Sequence, residues 1–205
     1  MRSIRLLTSG LSFLILGIVF IVMIGSEMMD YSKKGEDYST LTSADFREGM
    51  IVEGNLPYNY GSYESIYDED DKKSVGYFYL IDAGEDGFMG LYTPRKDLIT
   101  LLDAQADSLE AALQNSEGTY EMPDIQPVYF KGKVTKMDSE DEKFFRQMLT
   151  SYGCTDDYID EYCPLLYIKC VDTKSHPILL VAGIVATVVG IVFILLFVRR
   201  KIMGR

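Results

Sequence analysis

Two uninterrupted apolar runs bracket the chain. Leu6 to Gly25 and Ile178 to Val198 hold no charged residue, and each supplies the roughly 20 apolar residues that a helix needs to cross a hydrocarbon core of ~30 Å. Inside lipid a helix satisfies its own backbone groups, so residues 1–26 and 177–198 are expected to be membrane-spanning helices. The first run follows Met1-Arg2-Ser3-Ile4-Arg5, as in a signal peptide. It is longer than the ~7–15 apolar residues of such a peptide, and no A-x-A site follows it, so it reads as an uncleaved anchor. Gly10, Gly17 and Gly25 recur at about seven-residue spacing, while Ala182, Ala186 and Gly190 fall at i, i+4 and i+8. Small residues on one face let helices approach closely, so the two runs can pair as an antiparallel hairpin; the alternative is that glycine and alanine are simply common in membrane helices.

Between the runs the pattern changes. Residues 27–45 are polar and read as a juxtamembrane linker or short helix, followed by a helical turn from Thr42 that Gly49 closes. Met50 to Gly54 begins a strand. Leu56 to Tyr67 mixes four tyrosines with turn residues, and Asp68 to Lys73 extends it into what reads as one long loop. Val75 to Asp82 is an aromatic-rich, largely buried strand. A hairpin turn at Gly84 to Gly87 leads to a returning strand, Phe88 to Tyr92. From Pro94 to about Gln114, Leu98, Ile99, Leu102, Ala106, Leu109 and Leu113 draw the apolar stripe of a helix, with Asp97, Asp103, Asp107 and Glu110 largely off it. Pro127 to Lys136 is a strand with Gly132 as an expected bulge. A helix starts at Ser139, a short one follows Thr155 through Tyr162, and Leu165 to Val171 is the last strand.

The fold class is therefore α+β, with two transmembrane helices flanking a small, mostly antiparallel β domain over residues 46–172. Its order is strand-strand-strand-helix-strand-helical insert-strand. That order resembles an oligonucleotide/oligosaccharide-binding (OB) barrel, whose five strands carry a helix between the third and fourth. The alternative is a small α+β sheet with helices on one side.

Charge fixes an orientation. The chain has 20 basic and 31 acidic residues, a net charge of −11. All the acids lie between Glu27 and Asp172; the 14 basic residues between the two apolar runs leave that segment a local net of −17, and the other six basic residues sit at the two ends. Basic residues beside a span stay inside. The expectation is a multi-pass plasma-membrane protein with both termini cytoplasmic, a basic cytoplasmic tail at 199–205 and an extracytoplasmic central domain. So acidic a domain excludes nucleic acid as a partner, because that binding rests on neutralising phosphates.

Candidate chemistry is sparse. The one histidine, His176, adjoins Pro177 at the membrane edge, so neither a serine nor a cysteine nucleophile in the domain has a histidine base. No cofactor, metal site or catalytic residue is expected. The run Asp68-Glu69-Asp70-Asp71 lacks the alternating spacing of a calcium loop, and Asp82 with Glu85 and Asp86 reads as part of a turn. Of three cysteines, Cys154, Cys163 and Cys170, a Cys154–Cys163 disulfide closing a short loop is possible, with one thiol left over; three unpaired thiols are the alternative. Tyr58, Tyr60, Tyr63 and Tyr67 form the candidate binding loop, since tyrosine offers large contact area with a polar tip.

With its two charge-free runs, the basic stop Arg199-Arg200-Lys201 and the small domain between, the chain resembles uncharacterised two-pass membrane proteins of Gram-positive bacteria. That resemblance implies no activity. The expected function is a membrane-anchored, non-enzymatic interaction module or accessory subunit on the outer face, with a membrane or envelope protein as partner. The alternatives are a sensor or transporter accessory protein for sugar or peptide, which predicts a concave aromatic-lined pocket, and a carboxylate-dependent enzyme acting on envelope carbohydrate.

Overall fold

The computed structural model describes residues 2–67, 73–84, 87–115 and 122–203. It divides into two units, residues 1–32 with 173–205, and residues 33–172.

In the first unit, helix α1 (Arg2–Ser32) faces helix α5 (His176–Ile202). At ~1.5 Å per residue both exceed the ~30 Å hydrocarbon thickness, and both are apolar enough to cross a membrane. They run antiparallel, with glycines of one against glycines of the other. A Cβ on Gly10 would stand 3.0 Å from the Gly190 carbonyl oxygen, and one on Gly183 would stand 3.3 Å from that of Gly17. Phe13 and Phe193 meet edge to face at 6.2 Å. The contact face differs from the expected one: Ala182 is exposed and nothing lies within 4 Å of a Cβ on Gly25. The pairing uses a seven-residue step, Gly10/Gly17 against Gly183/Gly190, in place of the i, i+4 row through Ala182. His176 is buried in this unit, with Nε2 3.5 Å from a Glu27 carboxylate oxygen.

The second unit is one seven-stranded sheet with helices on both faces. Its elements are β1 (Glu36–Asp37), β2 (Ile51–Leu56), β3 (Asn59–Tyr67), β4 (Ser74–Asp82), β5 (Phe88–Thr93), α2 (Lys96–Asn115), β6 (Val128–Lys136), α3 (Ser139–Ser151), α4 (Asp156–Tyr162) and β7 (Leu166–Lys169). The spatial order is β1-β2-β6-β7-β5-β4-β3. Pairs β1–β2 and β5–β7 are parallel and the rest antiparallel.

The sheet is open, which corrects the OB-like barrel expectation. Its end strands, β1 and β3, do not pair with each other. The chain crosses from β2 to β3 over Pro57-Tyr58, and α2 packs at this crossing. Gln105 Nε2 donates to the carbonyls of Leu56, Pro57 and Gln126, and Asn59 Nδ2 donates to the Leu102 carbonyl and to Gln105 Oε1. Both amide side chains are buried. The helix thus occupies the gap that strand pairing would close in a barrel.

Strand alternation divides the core in two. On β4, Tyr79 and Ile81 join Leu98 and Leu102 of α2, Phe130 of β6 and Ile168 of β7. Leu80 points the other way, to Phe145 and Leu149 of α3 and Ile159 of α4. Burial on both faces explains why β4 is apolar and aromatic from Tyr77 to Ile81. Three further expectations are corrected. Residues 27–32 complete α1, and 36–40 join the sheet as β1 and a 3-10 turn, because buried Tyr38 meets Phe130 edge to face at 5.2 Å; the stretch 27–45 is not a linker. Residues 59–67 are the strand β3. Gly132 sits in unbroken register with Val52, and a Cβ there would strike the Ile168 side chain, so close approach and not a bulge explains the glycine.

Candidate functional site

Edge strand β3 leaves regular pairing at its start. Its register against β4 shifts between Asn59 and Ser62 and again between Ser62 and Glu64, and Gly61 takes φ = 92°, a left-handed conformation that favours glycine. The Asn59 side chain steadies this bend, its Oδ1 accepting from Gly61 N at 3.1 Å. The kink turns Tyr60 over a cleft between β3, helix α2 and the turn joining α3 to α4. The cleft has a volume of about 630 Å³. Leu80 and Phe88 line it from the sheet, and Tyr152 and Cys154 reach it from the α3–α4 turn. Helix α2 lines it with Leu109 and Leu113 and with Asp103, Asp107 and Glu110, the three acids spaced so that one face of α2 presents them all.

The four sequence-predicted tyrosines separate. Tyr60 lines the cleft, meets Phe88 edge to face at 5.5 Å and donates its hydroxyl to Asp82 Oδ1 at 2.9 Å. Burial, then the Asp82 charge, push the Tyr60 phenol well above its ordinary value, and burial raises the Asp82 carboxyl. Tyr58 donates to the Pro123 carbonyl at 2.9 Å. Tyr63 packs between Phe78 and Phe145 at 5.8 and 5.9 Å and supports the second core. Tyr67 is 62% exposed at the far end of β3. Strand geometry disperses what a loop would have gathered. Asp68–Lys72, Glu85 and Asp86 lie outside the described residues, so the readings placed on them stay with the sequence. Among the described residues, no three histidine, cysteine or acidic side chains are grouped to hold a metal ion.

Cys154, Cys163 and Cys170 are free thiols. Cys163 is buried in the second core and Cys154 packs against that core; the Cys154–Cys163 pairing stays with the sequence. Burial pushes the Cys163 thiol above its usual pKa.

Glu64, next to Tyr63 on β3, faces the start of α3. Burial first, then Asp141, Glu140 and Asp138, push its carboxyl up to about 7. Its Oε2 is buried without a hydrogen-bond partner among the described residues. An unfolded glutamate titrates near ~4.3. The native state therefore holds a proton that the unfolded chain has released, so stability present below pH ~4.5 is lost as pH rises through about 7. The near-UV circular dichroism melt of the full chain in detergent should come at a higher temperature at pH 5 than at pH 8. Glu64→Gln should flatten that difference; an unchanged slope would remove Glu64 from the account.

An open α+β sheet between two membrane-length apolar helices defines the class of the protein. Residues 2–200 match the family described as a domain of unknown function, DUF8577, and the chain belongs to that family. No curated protein matches the chain, and no solved structure does.

The sequence shows the cleft only in part. Tyr60 belongs to the candidate binding loop, and Asp103, Asp107 and Glu110 lie off the apolar stripe of α2. Nothing in the sequence joined the two, since 43 positions separate Tyr60 from Asp103.

Proposed function

We propose that this chain is a two-span plasma-membrane protein whose central domain is extracytoplasmic and receives a ligand, as an accessory or sensor subunit and not as an enzyme. The observation that carries this reading is the cleft, which is concave, lined by aromatic and apolar groups, and within the ~300–1,000 Å³ usual for small-molecule sites. The flat contact patch of a pure docking module would lack such a volume. The basic residues at the chain ends support the orientation.

Ala106 lies along the cleft at its α2 wall and is half-buried. Ala106→Trp should fill the space and lower retention of any small molecule captured by the purified full-length protein by about tenfold or more, a loss of ~1.4 kcal/mol. Mass spectrometry of the retained compounds reads this out; equal retention by wild type and variant would sink the cleft as the binding site. The accessory reading adds a membrane-protein partner, which crosslinking through Lys73 in native membranes would identify.

Orientation is tested separately. On intact cells a membrane-impermeant maleimide should label Tyr67→Cys, and should reach Lys201→Cys only after permeabilisation. The reverse pattern would overturn the topology.

A further inference from the structure

We infer that the cleft takes a small organic cation with an apolar body. This rests on the reading of the cleft as a binding site and names the ligand chemistry. Asp103, Asp107 and Glu110 put three carboxylates along one wall, and no lysine, arginine or histidine is among the described residues lining the space. Asp103 accepts the Tyr79 hydroxyl at 2.7 Å, and Glu110 accepts Gln114 Nε2 at 3.0 Å. A carboxylate has two oxygens and about four acceptor positions, so each keeps capacity for a cation.

The opposite wall supplies what a charged headgroup alone would not need. Leu80 and Phe88 offer apolar contact, and Tyr60 and Tyr152 offer aromatic rings, whose faces attract cations. An anion placed here would meet three carboxylates and no compensating base. A bare divalent cation would require six or more converging oxygens, whereas the described acids form no such group. An ammonium on an aliphatic or aromatic body uses both walls at once. The local net charge of −17 between the two apolar runs would also draw cations toward the domain.

The test uses full-length protein and three probes that share one apolar body: 4-phenylbutylamine, 4-phenylbutanol and 4-phenylbutyrate. Saturation-transfer NMR measures binding, and protection of half-buried Cys154 from alkylation locates it at the cleft. The amine is expected to bind about tenfold tighter than the alcohol, the butyrate weakest, with the preference shrinking at high salt. Asp107→Asn with Glu110→Gln, both at exposed positions, should bring amine and alcohol within about threefold while alcohol binding persists. Equal binding of amine and alcohol, or a butyrate preference, overturns the cation assignment and leaves the cleft as a site. If no probe binds or protects Cys154, the proposed function and this inference both fall. A lysine-rich peptide binding more than tenfold tighter than the amine would replace the small ligand by a polypeptide and overturn the assignment as stated.

Discussion

Asn59→Ala is expected to destabilise the central domain by about 3 kcal/mol. Asn59 is fully buried, and its amide ties β3 to α2: it donates to the Leu102 carbonyl and Gln105 Oε1, and accepts from Gly61 N. Alanine would leave Gln105 Oε1 and the Gly61 amide without these partners, and an unmatched buried group costs ~1–3 kcal/mol. Gln105 would also lose the contact that aims its own amide at Leu56, Pro57 and Gln126. The substitution therefore loosens α2 from the β2–β3 crossing, and the cleft loses its shape with it. Urea unfolding of the full chain, followed by tyrosine circular dichroism, should show the midpoint falling by roughly 1–3 M at an m-value of ~1–3 kcal/mol per M. Ser108→Ala, on the exposed side of the same helix, should stay within about 0.5 kcal/mol. If Asn59→Ala stayed within that margin as well, water would have to serve the freed groups, and the crossing could not be the rigid point described above.

Gly190→Leu is expected to separate the helical hairpin. A Cβ at this position would stand 2.6 Å from Leu14 N and 2.8 Å from the Gly10 carbonyl oxygen. Both are backbone atoms, so no rotamer change makes room, and the helices must move apart. Overpacking at a tight contact costs about 1–3 kcal/mol, and in lipid no hydrophobic gain offsets the lost packing. Paired cysteines at Phe13 and Phe193, whose rings touch across the hairpin, should crosslink in membranes. Adding Gly190→Leu should cut the yield by roughly tenfold, the ratio that corresponds to ~1.4 kcal/mol. Gly25→Leu is the control, because nothing lies within 4 Å of its Cβ position. Equal losses in both variants would mean that bulk alone, and not the glycine contact, governs the yield.

The two membrane-length apolar helices, α2, β4 and β5 are readable because each is decided locally, by apolar length, a 3.6-residue stripe or a run of strand-forming residues. The small-residue row was read on the wrong step. Ala182, Ala186 and Gly190 match the familiar four-residue spacing, yet Gly10/Gly17 already repeated at seven, and their partners Gly183/Gly190 repeat at seven as well. Strand β3 was hidden by its own composition. Asn59, Gly61 and Ser62 are turn formers, and the register shifts they accommodate break the period of two that marks a strand. The open sheet and the cleft depend on where α2 lands, and that rests on Asn59 and Gln105, two buried amides that a hydrophobicity pattern records as polar surface.

The place of β7 has a consequence for how the protein is made. The last strand to leave the ribosome sits inside the sheet, between β5 and β6. Until Leu166–Lys169 are synthesised, β3-β4-β5 and β1-β2-β6 are separate halves, each with an unpaired edge where β7 belongs, and unpaired edges invite wrong partners. Joining them requires contacts between distant residues, which form slowly. Only six residues separate Lys169 from the start of α5 at His176. The sheet is thus completed just before the second apolar helix is made, and the chain is most open to mispairing in the interval between making Lys136 and making Lys169.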